Sequence, residues 1–398
     1  MLICGMISYY SASKVFSVSG PVLENGVVAV DAQGKIIQLY TAQQAADLKD
    51  VQYFEGALVP GFVNIHCHLE LSHLKDKIAK HTGLVNFIKG ILATRQNSIG
   101  QEELHQQAVL EAMRLADEKM FVKGIVAVGD ISNTLDSKPI KLQSKIHYHT
   151  FIELLGFNRP AEPIWTKGLN LQQEFKPLPT TLVPHAPYSV NAELLSLIAN
   201  QEPTSKISIH NQETLAEQTL FTDGKGEFAD FLASMGISLR PEQGNRENSL
   251  AYHLPYANKK NPLLLVHNTF TSAQDIDYAQ AMHPELYWGL CPAANLYIEN
   301  KLPDVNLMRS KKINICVGTD SLASNADLDI LAELKLLQSN FDIPLAELLQ
   351  WACINGAKFL GLNAQLGSLE IGKCPGLVWI NNLAGENLTE SSESIRII

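Results

Sequence analysis

Four histidines and one aspartate stand at the ends of apolar runs, and that placement is the strongest chemical signal in the chain. Residues 58–65 lead into His66-Cys67-His68, residues 207–210 end on His210, residues 263–267 end on His267, and residues 313–318 lead to Asp320. Residues two apart in an extended chain share a face, so His66 and His68 can reach one ion together. Imidazole nitrogens with a carboxylate oxygen make a borderline donor set, suited to Zn2+ or Fe2+. Each signal alone is weak: HxH arises by chance, and an Asp closing a strand is commonly a cap or turn residue. Taken together, polar residues closing four separate apolar runs point to one metal site.

Glu213 lies three residues after His210 in His210-Asn211-Gln212-Glu213. There it can stand beside a metal rather than on it, and carry protons between water and substrate. The competing reading is a first-turn helical Glu favoured by the helix dipole. His185, in Pro184-His185-Ala186-Pro187-Tyr188-Ser189, closes another apolar run between prolines that stiffen the backbone. It reads equally as a ligand-facing residue or as a structural histidine satisfied by backbone groups. Cys67, Cys291 and Cys316 lie near the same positions and read as small buried fillers, because water activated by a metal leaves no need for a thiol nucleophile.

These side chains need a scaffold that brings strand ends together. Eight short apolar runs (58–65, 124–130, 148–155, 181–183, 207–210, 263–267, 287–290 and 313–318) alternate with helix-like stretches such as 102–119, 191–199, 273–281 and 327–337. Alternation of this kind predicts parallel strands with helical crossovers, and eight repeats favour closure, which leaves no edge strands. The fold class is therefore α/β: a (β/α)8 TIM-like barrel over 58–363, with the active site where the strands end. Residues 1–57 and 364–398 read as short strands with turns and are expected to pair into a small β-sandwich module. Residues 70–99 and 215–262 are too long for plain loops and should cover the pocket, the second as a candidate mobile lid around 241–248.

Composition narrows the class. The 398 residues are 46% hydrophobic and 18% charged, which suits a soluble enzyme with a substantial core. Net charge is −10, from 31 basic and 41 acidic residues, with no basic run, which argues against nucleic acid or an anionic membrane as partner. Six scattered cysteines without a CxxC pair fit reduced thiols, and no signal peptide or 18-residue apolar span is present, so the expectation is a cytoplasmic protein acting on a small molecule.

The pattern then resembles a known superfamily. Val59-Pro60-Gly61-Phe62-Val63-Asn64-Ile65-His66-Cys67-His68 is similar to the PGFVNxHxH signature of amidohydrolases. His210-Asn211-Gln212-Glu213-Thr214, Cys291-Pro292-Ala293-Ala294-Asn295 and Gly318-Thr319-Asp320-Ser321-Leu322-Ala323-Ser324-Asn325 resemble the HxxET, CPxSN and GTDSxASN elements of its cytosine deaminase, S-adenosylhomocysteine deaminase and chlorotriazine hydrolase branch. The resemblance implies that His66, His68, His210 and Asp320 hold one divalent metal, Zn or alternatively Fe. It implies that Glu213 shuttles protons, His267 orients the attacking water or polarises the substrate, Asp320 also helps take up the water proton, and His185 contacts the heterocycle. It implies a homo-oligomer, by analogy a dimer. Binuclear relatives carry a carboxylated lysine in the fourth run, and Thr181-Leu182-Val183-Pro184 has none.

His68-Leu69-Glu70-Leu71-Ser72 with the later Arg95 is similar to the aminodeoxyfutalosine deaminase-like subgroup of menaquinone synthesis. That likeness makes Glu70 and Arg95 candidate substrate contacts, Arg95 toward a benzoate; the alternative for Arg95 is an exposed helix residue. S-adenosylhomocysteine deaminases carry a ribose-clamping carboxylate near Arg95, and Ala93-Thr94-Arg95-Gln96 supplies none. The expected function is hydrolytic deamination of an adenine nucleoside-like compound with release of ammonia. The alternatives are the same site acting on guanine, a chlorotriazine or a guanidino compound, or a catalytically silent barrel with a binding role.

Overall fold

Eight parallel strands, in two runs of four, ring the centre of the molecule in the computed structural model, which describes residues 7–96 and 102–398. Strands one to four are Phe62–Cys67, Ile125–Ser132, His147–Leu154 and Thr180–Pro184; strands five to eight are Ile207–Asn211, Leu263–His267, Leu286–Leu290 and Asn314–Val317. Each half is hydrogen-bonded in chain order, with every pairing parallel. Two seams close the ring. The His210 N–H donates to the His185 carbonyl at 3.0 Å, and the Thr319 and Asp320 N–H groups donate to the His66 carbonyl at 3.1 and 3.0 Å. The barrel expected from eight alternating runs is the observed fold.

Alternation within the strands feeds two cores. Val63, Phe151, Val183, Leu264 and Val266 share one cluster. Their chain neighbours Phe62, Ile152, Leu182 and Leu265 join a larger one with helix residues such as Met113 and Phe175. This is the pattern of a sheet buried on both faces, with side chains filling the barrel on one side and helices covering the other.

Both chain ends build a seven-stranded sheet, in which Leu377–Ile380 pairs antiparallel with Val51–Pro60. Ala12, Val15, Val28, Leu58, Leu369 and Leu377 form its apolar cluster. The apolar run 58–65 is not one strand. It divides at Gly61, where Val51–Pro60 leaves this sheet and Phe62–Cys67 enters the barrel. A side chain at Gly61 would meet Val126 Cγ1 at 2.2 Å, so the crossing between sheets needs glycine.

The long insertion 70–99 contains a 3-10 turn, Leu69–Leu74, and the helix Gly83–Gln96. The other, 215–262, contains the helices Leu215–Asp223, Glu227–Ser234 and Ser249–His253. The segment 241–248 does not stand as a separate flap. Beside it, buried Arg240 donates to the Val190 and Pro187 carbonyls, both at 2.8 Å, and the Gly244 N–H donates to the Phe221 carbonyl at 2.8 Å. Among the described residues no helix is long and apolar enough to cross a membrane, and five cysteines are free.

Candidate metal centre and active site

The strand ends converge on one buried cluster. His66 Nε2 and His68 Nε2 are 3.1 Å apart, and His210 Nε2 lies 3.4 Å from His68 Nε2. Asp320 Oδ1 lies 3.6 Å from His66 Nε2 and 3.4 Å from His68 Nε2. His267 closes the group, its ring centre 5.7 Å from that of His66 and 5.4 Å from that of His210. His185 is 4.9 Å from His210 by the same measure.

His267 and Asp320 sit where the backbone departs from strand geometry. Strict alternation would send His267 the way of Leu263 and Leu265, toward the helices. Its φ of 74° places it in the left-handed region, and that breaks the alternation. Asp320, φ 57°, is held in the same region by its N–H bond to the His66 carbonyl. A non-glycine residue in this conformation costs about 1–2 kcal/mol, which the surrounding hydrogen bonds must offset. Asn268, also at positive φ, supplies part of that by donating its N–H to the Asn211 carbonyl at 3.0 Å.

The donor set fits a single metal. His210 Nδ1 lies 2.7 Å from the His185 carbonyl oxygen, which can only accept, so Nδ1 carries the proton and Nε2 presents a lone pair inward. Burial lowers the pKa of His68 to about 3, and lowers that of His210 through burial and the neighbouring imidazoles, so both are neutral, as ligands must be. Lone pairs packed this closely repel one another without a cation among them. Ligands held about 2.0–2.1 Å from a tetrahedral zinc ion stand about 3.3–3.4 Å apart. The spacings of His68 to His66 and to His210, and of Asp320 to His66 and to His68, run from 3.1 to 3.6 Å around that value.

Around the donors lie groups able to move protons. Glu213 Oε1 is 3.6 Å from His267 Nε2. Burial, then the nearby charges of Asp320 and Glu217, hold its carboxyl well above the ordinary value, so it keeps its proton to a higher pH than an exposed Glu does. Thr214 caps the helix Leu215–Asp223, and Glu217 reaches back to accept the Glu213 N–H at 3.2 Å, fixing where the Glu213 side chain starts. The His267 ring nitrogen Nδ1 is 2.9 Å from Asn295 Oδ1, which can only accept, so Nε2 faces the cluster without a proton in the neutral ring. Burial keeps His267 and His185 neutral, each down to about 4.

These residues floor a cavity of about 270 Å³. His68, His185, His210, His267, Glu213 and Asp320 are among its polar residues, and Leu84, Phe87, Ile91, Phe228 and Phe231, from the helices Gly83–Gln96 and Glu227–Ser234, with Met235 just after the second, form much of an apolar wall. His66 is buried beneath the floor.

Seven of the residues singled out from the sequence are thus brought together: His66, His68, His185, His210, Glu213, His267 and Asp320. Glu70 is not among those lining the cavity. Its carboxylate accepts the Asn133 N–H at 3.0 Å and the Thr134 N–H and hydroxyl at 3.3 and 3.1 Å, so it anchors the loop after strand two. Arg95 falls on the helix Gly83–Gln96, and its side chain lies outside the described residues. Sequence reasoning passed over Glu153 and Asn133, which line the cavity, and the supporting residues Asn295 and Glu217. Asn295 carried a signal, since it closes the Cys291–Asn295 motif; Glu153 sits inside an apolar run with nothing to mark it.

A model of the amidohydrolase family matches residues 57–393 of this chain. An adenosine deaminase of Helicobacter pylori is 28% identical over 337 residues, covering 81% of this chain and 78% of that protein. Helicobacter pylori aminofutalosine deaminase, solved in complex with methylthio-coformycin, superposes with a TM-score of 0.80 at 24% identity, over 98% of this chain and 100% of that one. An adenosine deaminase from Xanthomonas campestris, solved with bound zinc, superposes with a TM-score of 0.73 at 22% identity, over 96% of this chain and 86% of that one. Structural likeness at these identities speaks for the fold.

Proposed function

The chain belongs to the amidohydrolase family, and from that premise we propose that it is a metal-dependent hydrolytic deaminase of adenine nucleosides whose 5′ substituent is largely apolar, such as one carrying an aromatic ring. The observation that carries the reading is the single cavity joining Glu213, His185 and the metal donors to an apolar wall. A free base such as guanine or cytosine would leave that wall unused.

His66, His68, His210 and Asp320 would hold the ion. When bound, a divalent metal supplies Lewis acidity and makes water nucleophilic at neutral pH, lowering its pKa to about 7. His267, its tautomer fixed by Asn295, steers the water, and with Asp320 receives its proton. Oxygen bonds to the ring carbon bearing the amine, the C=N electron pair moves to the ring nitrogen, and Glu213 protonates that nitrogen. The C–N bond to the exocyclic amine then breaks, and the amine leaves as ammonia with the proton first taken from water. The ring carbon becomes a carbonyl as its hydroxyl proton passes to Glu213, which is thereby restored. His185 holds the heterocycle against the floor.

Several finer assignments belong to the same reading. Zinc is the metal of choice because borderline nitrogen donors and a carboxylate suit it. Aminodeoxyfutalosine, and so a place in menaquinone synthesis, fits the His68–Ser72 segment. A cytoplasmic dimer, with a barrel over 58–363 and a β module of 1–57 and 364–398, completes the picture.

The test is ammonia release by metal-replete enzyme across adenosine, 5′-methylthioadenosine, S-adenosylhomocysteine, aminodeoxyfutalosine, guanine and cytosine. The reading expects turnover confined to adenine nucleosides, loss on chelation and recovery with Zn2+. Turnover of guanine or cytosine alone, or undiminished activity after the metal is removed, would overturn it.

A further inference from the structure

One short helix serves both the reacting centre and the apolar wall. Pro292–Glu299 follows strand seven, and its Asn295 fixes the tautomer of His267. Three residues further on, Ile298 lines the cavity. The residues on either side of Ile298, Tyr297 and Glu299, hold the insertion that supplies much of the rest of the wall.

Glu299 Oε1 accepts the Leu84 N–H at 2.8 Å. Leu84 is the second residue of the helix Gly83–Gln96, so this N–H is one of those a helix cannot satisfy internally. That helix has no acidic residue in its own first turn, and Glu299 brings the negative charge that a helix N-terminus favours. Tyr297 holds the approach to the same helix. Its carbonyl accepts the His81 N–H at 2.7 Å, and its hydroxyl donates to the Ile78 carbonyl at 2.5 Å. Ile78 in turn packs under Gly90, in the middle of the helix, where a Cβ would stand 3.2 Å from two of its side-chain carbons. The insertion is therefore fastened ahead of the helix, at its first turn and, through Ile78, at its middle.

Resting on the deaminase reading above, we propose that Glu299, with Tyr297, is a positioning residue for specificity: it sets how closely the wall grips the 5′ substituent, without touching substrate. Leu84, Phe87 and Ile91 line the cavity from the helix whose first turn Glu299 holds. A hydrogen-bonded helix shifts as a unit, so a change at its first turn is felt at all three. Apolar contact falls off steeply, and a gap of about 0.5–1 Å forfeits about a quarter to a half of it. Small movements of this helix therefore weaken the hold on a large apolar substituent and leave the chemistry at the heterocycle as it was. Because Asn295 stands on the helix that carries Glu299, the spacing between wall and reacting centre is fixed within one element.

The experiment compares wild type, Glu299→Ala, Glu299→Gln and Tyr297→Phe on adenosine, 5′-methylthioadenosine and 5′-phenylthio-5′-deoxyadenosine, with kcat and KM resolved for each. The readout is the ratio of kcat/KM on each thio compound to that on adenosine. Glu299→Ala should lower the ratio roughly 10–100-fold for the phenylthio compound and less for the methylthio one, through KM, the scale on which apolar pockets discriminate. Glu299→Gln keeps an oxygen able to accept the Leu84 N–H and should bring the ratio back near wild type. Tyr297→Phe should lower the ratio in the same order but more weakly, which keeps the test alive if Glu299→Ala folds poorly. Glu299 is also one of the charges that hold up the Glu213 carboxyl. If it acted through that charge, the Ala and Gln variants would alike shift the pH profile of kcat on every compound and leave the ratio unchanged, and the proposal would be overturned. Ratios at the wild-type value in both Glu299→Ala and Tyr297→Phe would overturn it too. Wild type inactive on every adenine nucleoside would instead overturn the deaminase reading, and this inference with it.

Discussion

Glu213 illustrates how a common residue becomes a specific reagent. Its carboxyl is buried near two other acids, so it holds its proton at a pH where an exposed Glu has long lost one. Glu213→Gln keeps the shape and removes the transferable proton. Metal content should be unchanged, and kcat should fall by at least about 10²–10⁴-fold, measured by ammonia release. Near-normal turnover would remove Glu213 from the mechanism. Asn295 acts one step further out, by fixing which His267 nitrogen faces the cluster. Asn295→Ala should lower kcat by about 10–100-fold with little change in KM, since it alters the orientation of a neighbouring ring and not a substrate contact. A KM effect alone would place Asn295 elsewhere.

At the scale of elements, the site depends on how strand eight meets strand one. Asn64 donates from its amide to the Thr319 hydroxyl at 2.8 Å and accepts the Thr319 N–H at 3.1 Å, so the two motifs that contain them are one structural joint. Gly318 lies at the same joint. A Cβ there would stand 2.8 Å from both the nitrogen and the oxygen of His66, which are backbone atoms and cannot turn aside. Gly318→Ala should therefore push apart the strands that carry His66 and Asp320. We expect a loss of about 1–3 kcal/mol in stability by thermal denaturation. Metal content should fall in parallel, measured on the purified protein. A variant that is destabilised but fully metallated would show that the ligand geometry does not rest on this contact.

Over the whole molecule, buried ionisable groups make stability depend on pH in two directions. Burial holds Glu217 to about 7 and Glu333 to about 8, above the ordinary 4.5. The unfolded chain releases these protons first, so their contribution is whole below pH 4.5 and erodes as pH rises through 7 and 8. His149 and His253, away from the metal donors, are pushed by burial from 6.5 to about 3. The unfolded chain takes up those protons first, so their contribution is whole above pH 6.5 and erodes as pH falls. The melting temperature should peak between pH 4.5 and 6.5 and fall on either side, with Glu333→Gln flattening the alkaline fall. A melting temperature that climbs steadily to pH 8.5 would contradict this balance.

The eight strands and the seven clustered residues were legible in the sequence because they follow local rules. Apolar runs of strand length mark buried strands, and polar residues at their ends mark the face where a barrel keeps its chemistry. What the sequence could not carry was set by contacts between distant segments. His267 reaches the cluster through a left-handed backbone that no alternation pattern announces. The run 58–65 divides between two sheets because Pro60 still pairs with Leu377 while Phe62 pairs with Ile125, distant segments the run itself does not announce. Glu70 looks from its motif like a substrate contact, yet the loop Asn133–Thr134 folds onto its carboxylate and takes it up. Glu153 sits unmarked in an apolar run, and only the closing of strands three to five around His185 and His210 turns it toward the cavity. Residue types and their order determined which chemistry is available. The closure of the barrel decided which side chains share the space in which it is done.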